Sequence, residues 1–191
     1  MSATRPQVTV VSGLPRSGTS MMMRMLHAGG MPLLADGQRA ANGDNPGGFY
    51  EFEPVKQTRR DASWLDQADG KAVKMVYRLL YDLPHACDYR VLFMRRNLDE
   101  VLASQRAMLQ RAGQTITTDD GQMAELFRQE LKQFDTWAAA QSHFTILDVS
   151  YSRLVTQPQP AIAQIVEFLQ IPLDQAAMEG VVDLRLYRQR K

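Results

Sequence analysis

A single cysteine, Cys87, among 191 residues excludes an intramolecular disulfide and a cysteine-based metal site. Charge of neither sign is in excess. The 22 Lys and Arg against 21 Asp and Glu leave a net charge of +1, too little for an overall field that draws in nucleic acid or an anionic membrane. Any anion site must therefore be local. The apolar runs fall far short of a membrane span, and the opening residues MSATRPQ lack the hydrophobic stretch of a secretory signal. These absences lead us to expect a cytoplasmic protein without nucleic-acid or membrane partners; its oligomeric state is left open. Internal repeats and linker-like tracts are also missing. Hydrophobic residues at 45% and charged residues at 23% are an ordinary globular balance, which predicts one domain over residues 1–191.

The most informative absence is one lysine. Gly13 to Ser20 read GLPRSGTS, directly after the apolar run VTVV. Against the phosphate-binding template G-x-x-x-x-G-K-[ST], both glycines and the final hydroxyl are in place, but Thr19 stands where lysine belongs. The glycines still permit close backbone approach, and the helix that follows offers its amides and the positive end of its dipole to an anion. Arg16 supplies the missing charge from another place, since a guanidinium stays protonated and can fork onto two oxygens.

The surrounding pattern alternates strands and helices. Val8–Val11 reads as a strand, and Met21, Met22, Met25 and Leu26 then recur at helical spacing, so the methionines belong to the core. Residues 29–48 are rich in glycine and turn signals and predict a long loop. KAVKMVY and YRVLFMRR predict two further strands, LDEVLASQRAMLQRAG a helix, and FTILDVS a fourth strand. Asp119 and Asp120 can cap a long helix with Met123, Leu126, Phe127, Leu131, Phe134 and Trp137 on one face, and Pro160 can start another with Ile162, Ile165, Val166 and Leu169. This order predicts an α/β fold of three layers, αβα, around a parallel sheet. Ligands in such sheets bind at the carboxyl ends of the strands.

A second motif stands at one of those ends. In RNLDEVLAS, Arg96 closes the third predicted strand and Ser104 follows eight residues later, on the second turn of the next helix, so both can face one crevice. A nucleoside triphosphatase of the P-loop type instead ends a core strand in a magnesium-binding aspartate. Arginine here points to a second anionic group, although Arg95 and Arg96 also read as a surface pair.

Together the two stretches resemble the sulfotransferase family, whose donor is 3′-phosphoadenosine 5′-phosphosulfate. LPRSGTS is similar to its 5′-phosphosulfate loop, P-[KR]-S-G-T-[ST], and RNLDEVLAS to its 3′-phosphate motif of arginine and a serine eight residues on. Arg16, where cytosolic members carry lysine, resembles the tyrosylprotein sulfotransferases. The order and strand–helix contexts extend the resemblance over residues 8–110. It implies a P-loop-like fold, with Pro15, Arg16, Ser17, Gly18, Thr19 and Ser20 around the phosphosulfate and Arg96 and Ser104 on the 3′-phosphate. It further implies metal-independent sulfuryl transfer to a hydroxyl or amine of a small molecule, glycan or peptide.

Two positions depart from the family. Its basic histidine has no counterpart among His27, His85 and His143, and the acid that often follows a late tyrosine is replaced, after Tyr151, by Ser152. Relatives without the histidine use a glutamate, and NPGGFYEFEPV offers Glu51 and Glu53 among aromatic residues. A carboxylate in apolar surroundings is the better base. Glu51 is favoured over Glu53, and both also read as solvated loop acids. Lys74 reads as an exposed strand residue or as an aid in binding the sulfuryl group. The basic segment RLYRQRK, residues 185–191, reads as a solvated tail or as a flap over the nucleotide. A rival reading is an ATP- or GTP-binding kinase or switch in which Asp148, ending FTILD, would hold magnesium. A non-catalytic nucleotide sensor is the third.

Overall fold

The structure, a computed structural model, describes residues 5–37, 48–114 and 119–183. Five strands form one parallel sheet: β1 (Gln7–Gly13), β2 (Leu33–Leu34), β3 (Ala72–Lys74), β4 (Asp88–Arg95) and β5 (Phe144–Ser150), in the order β2-β3-β1-β4-β5. The helices are α1 (Thr19–Ala28), α2 (Leu98–Arg111), α3 (Asp120–Ala139), α4 (Tyr151–Thr156), α5 (Pro158–Leu169) and α6 (Gln175–Glu179).

The central strands look uniformly apolar because both faces are covered. In β4, Tyr89, Val91 and Phe93 enter one core cluster while Leu92 and Met94 enter the other. The first cluster is closed by Phe134 and Ala138 of α3, with Phe93 and Phe134 stacked at 4.7 Å, and by Trp64 and Leu80 from short 3-10 turns. The second takes Met21, Met22, Met23 and Met25 of α1 together with Leu154, Ile162, Ile165, Leu169 and Met178. The methionines are core, and the three-layer αβα arrangement holds. Among the described residues no helix is long and apolar enough to cross a membrane.

From β1 the chain runs to β2 and β3 on one side, while from β4 it runs to β5 on the other. The switch therefore falls between β1 and β4, whose carboxyl ends are level because Gly13 pairs with Met94. The loop after β1 and the residues after β4 are thereby brought side by side.

Three boundaries differ from the sequence reading. The glycine-rich connection holds the two-residue strand β2, which pairs with Ala72 and Val73, while 38–47 of that connection lie outside the described residues. The strand read over residues 71–77 stops at Lys74, because Val76 turns outward at 45% exposure and Tyr77 opens a 3-10 turn, Tyr77–Asp82. Helix α5 begins at Pro158 and not at Pro160, since a proline in the first turn forfeits no helical hydrogen bond. The basic segment at 185–191 also lies outside the described residues.

Candidate functional site

The phosphate-type loop is shaped by two left-handed residues, Arg16 at φ 70° and Gly18 at φ 105°. Glycine is required at both ends of it. A Cβ at Gly13 would come within 2.6 Å of Ser17 Oγ and 2.7 Å of the Met94 carbonyl, and one at Gly18 would lie 2.8 Å from Cε2 of Tyr151. The backbone is thus pressed against β4 below and a tyrosine ring beside it. Ser17 N donates to the Leu14 carbonyl at 3.1 Å, which closes the turn.

Helix α1 leaves this loop with no side-chain cap and no acid in its first turn. Its leading amides and dipole are the free donors of a ten-residue helix. A second feature marks the same place: the hydroxyls of Ser12 and Ser17, 0% and 1% exposed, have no hydrogen-bond partner among the described residues. Buried polar atoms are rarely left so. Uncapped amides, orphaned hydroxyls and a glycine cradle fit an anion of the phosphate or sulfate type. Pro15 stands exposed at the loop tip, and Thr19 and Ser20 are half-buried at the helix start.

Arg16 and the second motif meet directly. Arg16 Nε donates to Ser104 Oγ at 3.1 Å, and Arg96 Nη1 donates to the Arg16 carbonyl at 3.2 Å. Residues 80 and 88 positions apart in sequence are joined across the switch point. Arg96 Nε is paired with Glu100 Oε2 at 2.9 Å, and its guanidinium lies 4.3 Å over the Tyr151 ring. Burial raises the Tyr151 phenol above its ordinary pKa; Arg96, Arg24 and Arg16 pull it down, and Glu100 adds to the rise. Tyr151 therefore sits between Gly18 and Arg96.

The two arginines at the β4 tip do different work. Arg95 turns to Asp148, Nε to Oδ1 at 2.8 Å, and to Asp135, and it lies 4.3 Å over Phe93. It ties β4 to β5 and α3. Asp148, the metal ligand of the rival reading, is held in that ion pair.

On the other flank, Lys74 ends β3 with its side chain only 13% exposed, so the exposed-lysine reading is corrected. Burial is tolerable because its ammonium donates to the Phe49 carbonyl and stands 3.6 Å from Glu51 Oε1. Ser20 Oγ donates to the same carbonyl at 3.4 Å, which fastens the Phe49–Glu51 stretch to the start of α1. Glu53 goes elsewhere. Its backbone amide donates to Asp36 at 2.6 Å and its carboxylate pairs with Lys56 on an exposed face. Of the two candidate bases, Glu51 is the one whose carboxylate lies beside Lys74.

The histidines lie away from this crevice. His143 precedes β5, where its carbonyl accepts from Tyr89 N, and it packs at 3.9 Å on His85 near the amino ends of the strands. His27 is exposed in the last turn of α1. Sequence reasoning missed Glu100, although its position four residues after Arg96 on a helix start was a signal for an ion pair.

A model of the sulfotransferase family matches residues 49–175, more than half of the chain. The match covers Glu51, Lys74, Arg96 and Ser104 and begins beyond the phosphate-type loop. No curated protein matches the sequence. Among solved structures, the sulfotransferase domain from the curacin biosynthetic pathway is similar at 16% identity with a TM-score of 0.54, over 95% of this chain and 79% of that one. The sulfotransferase domain from the Synechococcus PCC 7002 olefin synthase is similar at 16% identity and TM-score 0.54, over 100% of this chain and 86% of that one. At such identity the likeness carries the fold.

Proposed function

The chain belongs to the sulfotransferase family, and on that premise we propose that it transfers a sulfuryl group from 3′-phosphoadenosine 5′-phosphosulfate to an acceptor hydroxyl or amine by metal-independent in-line displacement. The observation that carries this reading is the joining of Arg16, Arg96 and Ser104 across the β1–β4 switch point. Two guanidinium groups on neighbouring strand tips suit a nucleotide that carries phosphate at both ends of its ribose.

The acceptor oxygen or nitrogen forms a bond to sulfur as the bond from sulfur to the 5′-phosphate oxygen breaks, and the acceptor proton passes to the Glu51 carboxylate. Negative charge grows on the departing phosphate oxygen. Arg16, the hydroxyls of Ser17, Thr19 and Ser20 and the loop amides, with Pro15 and Gly18 shaping the backbone, bind that charge better than the ground state does. Lys74, 3.6 Å from Glu51, serves the sulfuryl oxygens from the β3 side. Arg96 and Ser104 grip the 3′-phosphate.

Acceptors are small molecules, glycans or peptides. Incubation with 35S-labelled donor and a panel of phenols, sugars, amines and tyrosine peptides tests the reading, with labelled product expected in the presence of a chelator. Transfer that requires a divalent ion, or γ-phosphate transfer from ATP in its place, contradicts it.

A further inference from the structure

A carboxylate stands inside this cationic site. Glu100 is 3% exposed, one helical turn along from Arg96, and its presence next to a seat for phosphate opposes anion binding by simple Coulomb repulsion. Burying it also costs solvation free energy. Affinity for an anion therefore gives no reason for this residue; orientation does.

The side chains of Arg96 and Glu100 are 8% and 4% exposed, and the arginine is fixed on three sides. Its Nε is on Glu100 at 2.9 Å, its Nη1 on the Arg16 carbonyl at 3.2 Å, and its plane 4.3 Å above Tyr151. Glu100 is itself held at the first turn of α2, where Asn97 Oδ1 accepts from its amide at 3.4 Å and from that of Asp99 at 2.8 Å. A capped helix start thus carries the carboxylate, the carboxylate carries the guanidinium, and the guanidinium holds the Arg16 carbonyl of the loop.

We propose that Glu100 is a positioning residue of the nucleotide site, aiming Arg96 so that one guanidinium both anchors the Arg16 carbonyl and meets the second phosphate of the donor. This rests on the donor reading above. Its test is calorimetric binding of adenosine 3′,5′-bisphosphate and adenosine 5′-monophosphate to the wild type, Glu100→Gln and Glu100→Ala, with the ratio of the two Kd values isolating the second phosphate. A wild-type protein that does not prefer the bisphosphate refutes the donor reading itself. Given that preference, Glu100→Ala should reduce the ratio roughly tenfold or more, the effect of losing one charge-assisted hydrogen bond that orients a ligand. Glu100→Gln, whose amide oxygen still accepts from Arg96 Nε, should restore most of it. An alanine variant with an unchanged or larger ratio overturns the inference, and so does an equal loss in both variants, since glutamine keeps the acceptor that aims Arg96. Should Glu100→Ala not fold, Glu100→Gln decides: a ratio within about threefold of wild type supports the inference, and a larger loss overturns it.

Discussion

Replacing Gly18 with alanine tests the close packing of the loop. Its φ of 105° already lies where an L side chain is strained, and forcing alanine there costs about 1–2 kcal/mol. The new Cβ would lie 2.8 Å from Cε2 of Tyr151 and closer still to Cδ2. That ring cannot yield cheaply, because it is 5% exposed and Arg96 lies on its face. Overpacking of this kind adds about 1–3 kcal/mol, for a total of roughly 2–5 kcal/mol. Gly30 is the control. Its φ is 95°, but nothing lies within 4 Å of its would-be Cβ, so Gly30→Ala carries only the backbone part, about 1–2 kcal/mol. Urea unfolding of the two variants should differ by about 1–3 kcal/mol, and only Gly18→Ala should weaken adenosine 3′,5′-bisphosphate, because moving the ring unseats Arg96. Equal losses from both glycines would refute the reasoning.

Arg16→Ala should lower turnover on the order of a hundredfold or more, the value of about 3–4 kcal/mol for an oxyanion donor, while Arg16→Lys keeps part of the rate; steady-state kinetics with saturating acceptor reads both. Glu51→Gln should lower turnover about a hundredfold or more as a general base is lost, with donor affinity little changed, and a matching fall in donor binding would show that its role is structural. Arg96→Ala should weaken adenosine 3′,5′-bisphosphate much more than adenosine 5′-monophosphate in calorimetry, with some loss for both because it also releases the Arg16 carbonyl. Burial first, and then the charge of His85, hold the His143 pKa below the ordinary 6.5, against the Leu83 backbone and Asp88, which raise it, and with Arg5, which lowers it. The unfolded chain then takes up that proton before the native one, so this contribution to stability is whole above about pH 6.5 and is lost as pH falls below it. His143→Phe should flatten the decline seen in unfolding at stepwise lower pH, and an unaltered slope contradicts that assignment.

The sheet and the phosphate-type loop were legible because they are written locally. VTVV before a glycine turn and a methionine-rich helical stripe leave little choice for β1 and α1, and YRVLFMRR is long enough to declare a buried strand. The pairing of Leu33 and Leu34 was not legible, since two residues cannot show a period and pair only because Ala72 and Val73 pass beside them. Lys74 looked exposed because a lysine on an apolar strand carries no mark of its counter-charge. The partners that make its burial tolerable, Glu51 and the Phe49 carbonyl, arrive from a connection without regular pattern. The arginine pair was ambiguous for a similar reason: adjacent strand residues face opposite sides, but which one finds Asp148 and which finds Glu100 depends on how β5 and α2 are placed.

The central claim is that this crevice holds an adenosine carrying phosphate at both ends of its ribose. The most direct measurement is thermal unfolding titrated with adenosine 3′,5′-bisphosphate, adenosine 5′-monophosphate, and ATP or GTP with magnesium. At about a hundred times its Kd the bisphosphate should add ~2.7 kcal/mol of stability without any metal, and the others much less at equal concentration. Stabilisation by ATP or GTP with magnesium but not by the bisphosphate would contradict the account.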